Sequence, residues 1–233
     1  MNISHTNKFI YIAIPKTGST SIRKFTDSAT EYKRRKKYHQ GMSDTTFGDV
    51  VSGYYQDIKI KLGTHSKMQE LKSVWSEVFP LYPSYEDYFK FTYVRNPWDR
   101  RVSQWNYIKR CGRGRKSRMK NTWFAYCLFV RKQCKDSFGN FVKSSSKLDQ
   151  QINWIYDDAG NNLMDYVGKL EEIDTSLETI APRLGIDFYD YIPHINKSRG
   201  PHYSTFYDSK LVDIVGDFYS DDISAFNYDF ESL

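Results

Sequence analysis

Apolar positions along this chain switch between two periods. Residues 9–14, Phe9-Ile10-Tyr11-Ile12-Ala13-Ile14, form a continuous apolar run ended by Pro15. That is the pattern of a strand buried on both faces of a parallel sheet. Residues 19–29 then predict a helix, with Ile22 and Phe25 three apart on one face. The stretch up to Gly41 reads as a loop or a frayed helix. Residues 59–64 alternate and predict a second strand. Residues 67–78 predict a helix with Met68, Leu71, Val74, Trp75 and Val78 on one face. Residues 88–94 predict the third clear strand. Asn96 then caps a helix that Pro97 opens, and it runs to about Arg110.

The second half is less regular. Residues 109–120 read as a basic surface loop and 123–132 as a helix. Residues 152–156 and 163–167 flank Asp157-Asp158-Ala159-Gly160-Asn161-Asn162, a turn between two predicted strands. Residues 170–184 predict a helix despite Pro182, 189–203 are irregular, and 208–226 predict a final amphipathic helix. Strands alternating with helices point to an α/β sandwich around a mostly parallel sheet, in one domain covering residues 1–233. Such sheets bind ligands beyond the carboxyl ends of their strands. Residues 15–20, His65 and Arg95 each follow a predicted strand.

Composition adds limits rather than a function. Hydrophobic residues make up 39% and charged residues 27%, which fits a globular chain and excludes a disordered one. The 19 Tyr and 15 Phe suit strand and helix packing, or equally a sugar-binding cleft. The net charge of +6 is concentrated in 33–37 and in the cluster Lys109, Arg110, Arg113, Arg115, Lys116, Arg118 and Lys120. Such clusters steer anions, although a solvated loop looks the same. Cys111, Cys127 and Cys134 have no metal or redox spacing, so a reducing compartment is expected. No apolar run approaches the ~18 residues of a membrane span. Residues 1–8 lack a signal peptide's apolar core. A soluble, cytoplasmic protein is expected.

The segment Pro15-Lys16-Thr17-Gly18-Ser19-Thr20 carries the clearest chemistry. A buried strand, a glycine-bearing turn and a helix N-terminus turn free N–H groups and the helix dipole onto an anion. Lys16 adds a full charge, and Thr17, Ser19 and Thr20 add hydroxyls. The lysine precedes the glycine and the first glycine of the nucleoside-triphosphatase pattern is missing. No acidic strand end stands ready for Mg²⁺. Taken alone, the loop is equally a structural turn capped by Ser or Thr.

A second segment narrows the choice. Phe91-Thr92-Tyr93-Val94-Arg95-Asn96-Pro97-Trp98-Asp99-Arg100-Arg101-Val102-Ser103 resembles the 3′-phosphate-binding strand and helix of sulfotransferases. Together with the first loop it is similar to the carbohydrate-type family, which includes chondroitin 4-O- and heparan sulfate 2-O-sulfotransferases. Tyr166-Val167-Gly168-Lys169-Leu170-Glu171, Asn196-Lys197-Ser198 with Tyr203 and Tyr207, and the stretch from Tyr219 to Tyr228 resemble later segments of the same family. The resemblance implies a P-loop NTPase-like three-layer α/β sandwich with a mostly parallel central sheet flanked by helices. It implies 3′-phosphoadenosine 5′-phosphosulfate (PAPS) as donor, 3′,5′-bisphosphate PAP as product, and no metal. By carry-over, Lys16, Thr17, Gly18, Ser19 and Thr20 surround the 5′-phosphosulfate, while Arg95 and Ser103 hold the 3′-phosphate.

The chemistry of these residue types agrees. Arginine's planar fork suits a phosphate, and Ser103 lies about two helical turns beyond Arg95. An ion pair with Asp99 is the alternative for Arg95. Trp98 reads as core, and Arg100 and Arg101 as helix-surface charges, one of them able to face the cleft. Lys16 is the candidate donor to the leaving oxygen, and His65, in a segment resembling the family's base position, the candidate general base. His194 is the reserve. Lys197, Ser198 and Arg199 resemble a closing loop, and a plain solvated loop is the alternative. The expected acceptor is a hydroxyl on a carbohydrate, and the basic clusters fit an acidic one. A small metabolite, a lipid head group and a protein tyrosine stay open. The family's Golgi members carry a membrane anchor; none is seen here, which favours a microbial or viral intracellular enzyme. Two other functions compete: a module binding an anionic polymer, and a P-loop kinase-like nucleotide enzyme. Nucleic acid is not expected, because zinc-finger spacing and RNA-recognition aromatics are absent.

Overall fold

The computed structural model describes residues 1–27, 44–46, 51–55, 58–62, 65–111, 122–144, 148–187 and 200–231. The apolar run forms β2 (Phe9–Ile12), with all four residues buried. Beside it runs β6 (Phe89–Val94), parallel and in register Tyr11 to Phe91. Next to β6 lies β7 (Tyr166–Lys169), also parallel, with Phe91 opposite Tyr166. On the other side of β2, β1 (Asn2–Ser4) and β3 (Asp44–Thr46) add two antiparallel strands. The order among the described residues is β3-β1-β2-β6-β7. The α/β class and the parallel centre of the sheet are as expected, and the antiparallel edge was not foreseen. β1 is short, but Asn2, Ile3 and Ser4 are all buried.

The chain divides into two compact units, Met1–Val94 with Gln151–Lys197, and Arg95–Gln150 with Ser198–Leu233. The first unit holds the sheet. Strand alternation turns Phe9, Tyr11, Ala13, Phe91 and Tyr93 to one face. There they meet Ile22 and Phe25 of α1 (Ser19–Asp27) and Ile173, Leu177 and Ile180 of α6 (Ile173–Ile180). Ile10 and Ile12, of opposite parity, are equally buried. The Thr92 hydroxyl donates to the Ile12 carbonyl at 2.7 Å and ties β6 to β2. Gly168 is required in β7, because a Cβ there would lie 2.5 Å from the Tyr93 ring. The helix α2 (Met68–Val78) buries Met68, Leu71 and Trp75, as its periodicity predicts.

Three expectations in this unit change. The second predicted strand is real as β5 (Ile58–Leu62), but it pairs with β4 (Val51–Tyr55) in a separate two-stranded sheet. Residues 152–156 are not a strand. Gln151–Trp154 form a 3₁₀ turn, and the Tyr156–Asn162 bridge closes the loop instead. The turn itself holds, because Asp157 accepts from the Ala159 and Asn161 amides at 3.0 and 2.8 Å. The helix at 170–184 is broken into 3₁₀ turns at Leu170–Glu172 and Ala181–Leu184 around α6.

The second unit is helical among the described residues. It contains α3 (Pro97–Cys111), α4 (Thr122–Gln133), α5 (Phe138–Lys143), α7 (Ser209–Phe218) and α8 (Ser220–Phe226). Asn96 caps α3 as expected, its Oδ1 accepting from the Trp98 and Asp99 amides at 3.1 and 3.3 Å. Trp98 is core, donating from Nε1 to the Val212 carbonyl. The final helix is two, because Tyr219 leaves helical geometry (φ −108°, ψ 25°) as its hydroxyl reaches the Leu148 carbonyl. Arg100 and Arg101 are not surface charges, since both are buried. Arg100 donates to the Asp149 carbonyl and faces Asp222 at 4.0 Å. Arg101 donates to Gln104 Oε1 at 2.6 Å and the Phe141 carbonyl at 2.8 Å, over the Phe141 ring. Among the described residues, no helix is long and apolar enough to cross a membrane.

Candidate functional site

In the first unit β2 runs into the loop at 15–20, and α1 leaves it. Two residues of this loop hold left-handed backbone, Lys16 at φ 71° and Gly18 at φ 75°. For a lysine this conformation costs about 1–2 kcal/mol, so the surrounding structure holds it there. Turns of this kind direct successive N–H groups into a concavity suited to an anion. Gly18 is further required because a Cβ would meet Leu170 Cδ1 at 2.5 Å. The Gly18 carbonyl accepts the first helical bonds, from Ser21 and Ile22 at 2.9 and 3.2 Å. By helix geometry the amides of Ser19 and Thr20 have no acceptor within α1.

The loop's hydroxyls differ in setting. Thr17 is buried, and its Oγ1 donates to the Ile14 carbonyl at 3.0 Å. Its proton therefore pins the loop to the end of the strand. Ser19 is half-buried and Thr20 exposed.

His65 belongs to the same unit. Its Nδ1 lies 2.6 Å from the Ala13 carbonyl, just beyond β2. A carbonyl only accepts, so Nδ1 carries the proton and a neutral ring keeps its lone pair on Nε2. The main chain of His65 is also held, its carbonyl accepting from Trp154 Nε1 at 2.9 Å. The residue as a whole is exposed, but the Nδ1 edge turns inward. Desolvation lowers the imidazole pKa below its ordinary 6.5, the Ala13 bond opposes this, and the charges of the N-terminal amine, Arg23 and Lys16 lower it further. The imidazole is thus neutral at pH 7, as a base must be.

Arg95 and Ser103 lie in the second unit. The guanidinium of Arg95 bonds Asp99, with Nε and Nη2 both near Oδ2 at 2.8 and 2.7 Å. The ion pair considered from the sequence therefore exists. It orients the guanidinium, which has five N–H donors in all. Ser103 is half-buried on α3, four residues after Asp99 and so on the same helix face. His39, His194, Lys197, Ser198, Arg199 and the 33–37 cluster lie outside the described residues, as does most of 109–120. Among the described residues no group of three or more His, Cys, Asp or Glu side chains is placed to hold a metal ion.

The model of the sulfotransferase family matches residues 1–229. The chain belongs to the sulfotransferase family. It is thus an enzyme of sulfuryl transfer, with the strand–loop–helix at 9–27 and the anchored His65 as the parts that geometry and chemistry single out. No curated protein sequence matches it significantly. Among solved structures it is similar to the crystal structure of a sulfotransferase from Alicyclobacillus acidocaldarius, at 12% identity over 96% of each chain and a TM-score of 0.38.

Proposed function

We propose that this sulfotransferase uses PAPS as donor and a hydroxyl of a carbohydrate as acceptor. The observation that carries the reading is the 2.6 Å contact between His65 Nδ1 and the Ala13 carbonyl. It fixes the tautomer of a base candidate beside an anion loop. PAPS supplies an activated sulfuryl group whose leaving partner is a phosphate. The residues present fit such a group: Lys16 and Gly18 hold the left-handed backbone of an anion-binding turn, and the first amides of α1 have no acceptor within the helix. Lys16, Thr17, Gly18, Ser19 and Thr20 would hold the phosphosulfate end, and Arg95 and Ser103 the 3′-phosphate.

The protein's own steps follow from these groups. Lys16 would donate to the leaving oxygen of such a donor as negative charge develops there. His65 Nε2 accepts the proton of the acceptor hydroxyl, and the Nδ1–H bond to the Ala13 carbonyl stabilises the imidazolium that results. The sequence resemblance to carbohydrate-type enzymes supports a sugar acceptor.

The test has two parts. PAP should raise the melting temperature without Mg²⁺, and transfer of labelled sulfate from PAPS to a pool of glycans should be detected by mass spectrometry. Stabilisation by Mg-ATP but not by PAP would overturn the reading in favour of a kinase-like enzyme. Salt-sensitive binding of an anionic polymer with no transfer would favour the binding module.

A further inference from the structure

The helix α4 is apolar on two opposite faces. Its inner face turns Cys127 and Val130, with Cys134 just past the helix end, into a core shared with Trp105 and Ile108 of α3. These positions are three and seven residues apart, the spacing of one helical face. The opposite face carries Leu128 and Phe129, 41% and 62% exposed, with Tyr126 at its edge, 36% exposed. Among the described residues, every exposed large hydrophobic side chain except Leu81 lies on this helix. A helix that is apolar all round is ordinarily covered all round, so the outer face of α4 calls for a partner.

Charge selects among the partners. From Val102 to Lys135 the chain has ten Lys and Arg and no Asp or Glu, while the remainder has 24 against 28 and is net −4. The whole of α4 lies inside this acid-free stretch. Lys132, four residues after Leu128 and three after Phe129, is exposed in the middle of the apolar stripe. Arg110 at the end of α3 and Lys135 beyond α4 are exposed as well. Arg131 is engaged inside the protein, its Nε and Nη2 donating to Asp136 at 2.8 and 2.9 Å. A second copy of the chain would set this stretch against its like, and the charges would repel. Nucleic acid would answer the cations but leave Leu128 and Phe129 without apolar cover. A protein partner would bury Lys132 in the centre of the contact, where lysine is depleted. A bilayer with anionic lipids meets both demands. Apolar and aromatic side chains enter the boundary of headgroups and acyl chains, and a lysine among them extends its stem until the ammonium reaches the phosphates.

We propose that the outer face of α4 docks this enzyme on the surface of an anionic membrane. Leu128, Phe129 and Tyr126 enter the interface, and Lys132 with its cationic neighbours holds the headgroups. The helix lies on the membrane and does not cross it, since its 12 residues are fewer than the ~17–25 of a span. The inference stands apart from the donor and acceptor readings, because no residue of this surface belongs to the candidate site.

The experiment sediments the full chain with vesicles of phosphatidylcholine alone, or of phosphatidylcholine and phosphatidylserine at about three to one. Wild type should bind the anionic vesicles and not the neutral ones. Leu128→Ser combined with Phe129→Ser should weaken binding by about tenfold or more, from the apolar area lost. Lys132→Gln should weaken it by about fivefold, the worth of one lysine at such a surface. Thermal unfolding of these variants should match wild type, because the altered side chains point outward. If the double variant does not fold, Phe129→Ser and Lys132→Gln decide in its place. Absence of wild-type binding to the anionic vesicles would overturn the proposal, and so would undiminished binding by the double variant. A wild-type dimer in analytical ultracentrifugation that the double substitution turns into a monomer would overturn it in favour of a second copy. Tighter binding of a single-stranded oligonucleotide than of the vesicles, untouched by the double substitution, would overturn it in favour of nucleic acid.

Discussion

The state of His65 can be measured without knowing the acceptor. The 2.6 Å contact with Ala13 requires a proton on Nδ1. A net hydrogen-bond worth of about 0.5–1.5 kcal/mol favours that tautomer about two- to twelvefold over the other. Carbon-13 shifts of the ring, followed by NMR through a pH titration, report both tautomer and pKa. The titration should fall below 6.5, because desolvation is the largest influence and Arg23 and Lys16 add to it. Lys16→Ala should move it upward, and so should Arg23→Gln, each by removing a nearby positive charge. Folding is linked to the same proton. Below 6.5 the unfolded chain binds it more readily than the native state does. The stabilisation from a neutral His65 is therefore full above pH 6.5 and is lost as pH falls through the lowered native value. Turnover should show an acid limb at that native value, and His65→Gln should lose about 10²–10⁴ of the rate, the usual worth of a general base. A titration at or above 6.5, a ring protonated mainly on Nε2, or a pKa unmoved by both substitutions would refute the reasoning.

Gly18→Ala should weaken PAP binding and destabilise the protein by about 1–2 kcal/mol in urea, since its φ of 75° is left-handed and its Cβ would meet Leu170. Unchanged affinity and stability would show that the loop does not need this conformation. Arg95→Gln should erase the preference for PAP over 5′-AMP, by about tenfold or more, while leaving 5′-AMP affinity nearly intact; calorimetry with both nucleotides checks this. Arg101→Met should cost about 3 kcal/mol by urea unfolding, because Gln104 Oε1 and the Phe141 carbonyl each lose a buried donor.

Where hydrophobic period and capping chemistry agree, the sequence was easy to read. β2, β6, α2 and the Asn96-Pro97 start of α3 fall close to their expected places. The pattern does not tell which partner a segment takes. Residues 58–62 alternate like a sheet strand, yet they pair locally with β4. Arg100 and Arg101 look like surface charges because periodicity cannot register a buried cation whose acceptors are the Asp149 and Phe141 carbonyls. In the site, loop chemistry was visible in 15–20, but neither the left-handed Lys16 nor the Thr17 anchor to Ile14 could be read from residue type. The Ala13 contact that fixes the His65 tautomer spans 52 positions of sequence.

The division of the chain into interleaved segments bears on how it is made. The first unit needs Gln151–Lys197, yet Arg95–Gln150 of the other unit leaves the ribosome before that segment does. At about 5–20 residues per second, several seconds separate the synthesis of β6 from that of its parallel neighbour β7. Through that interval β6 has an open edge, and its apolar residues Phe91 and Tyr93 await cover from α6. A nascent chain stalled before residue 166 would present a strand ready to pair with the wrong partner. Slowing translation across the intervening stretch should therefore lower the yield of folded chain without changing the finished enzyme.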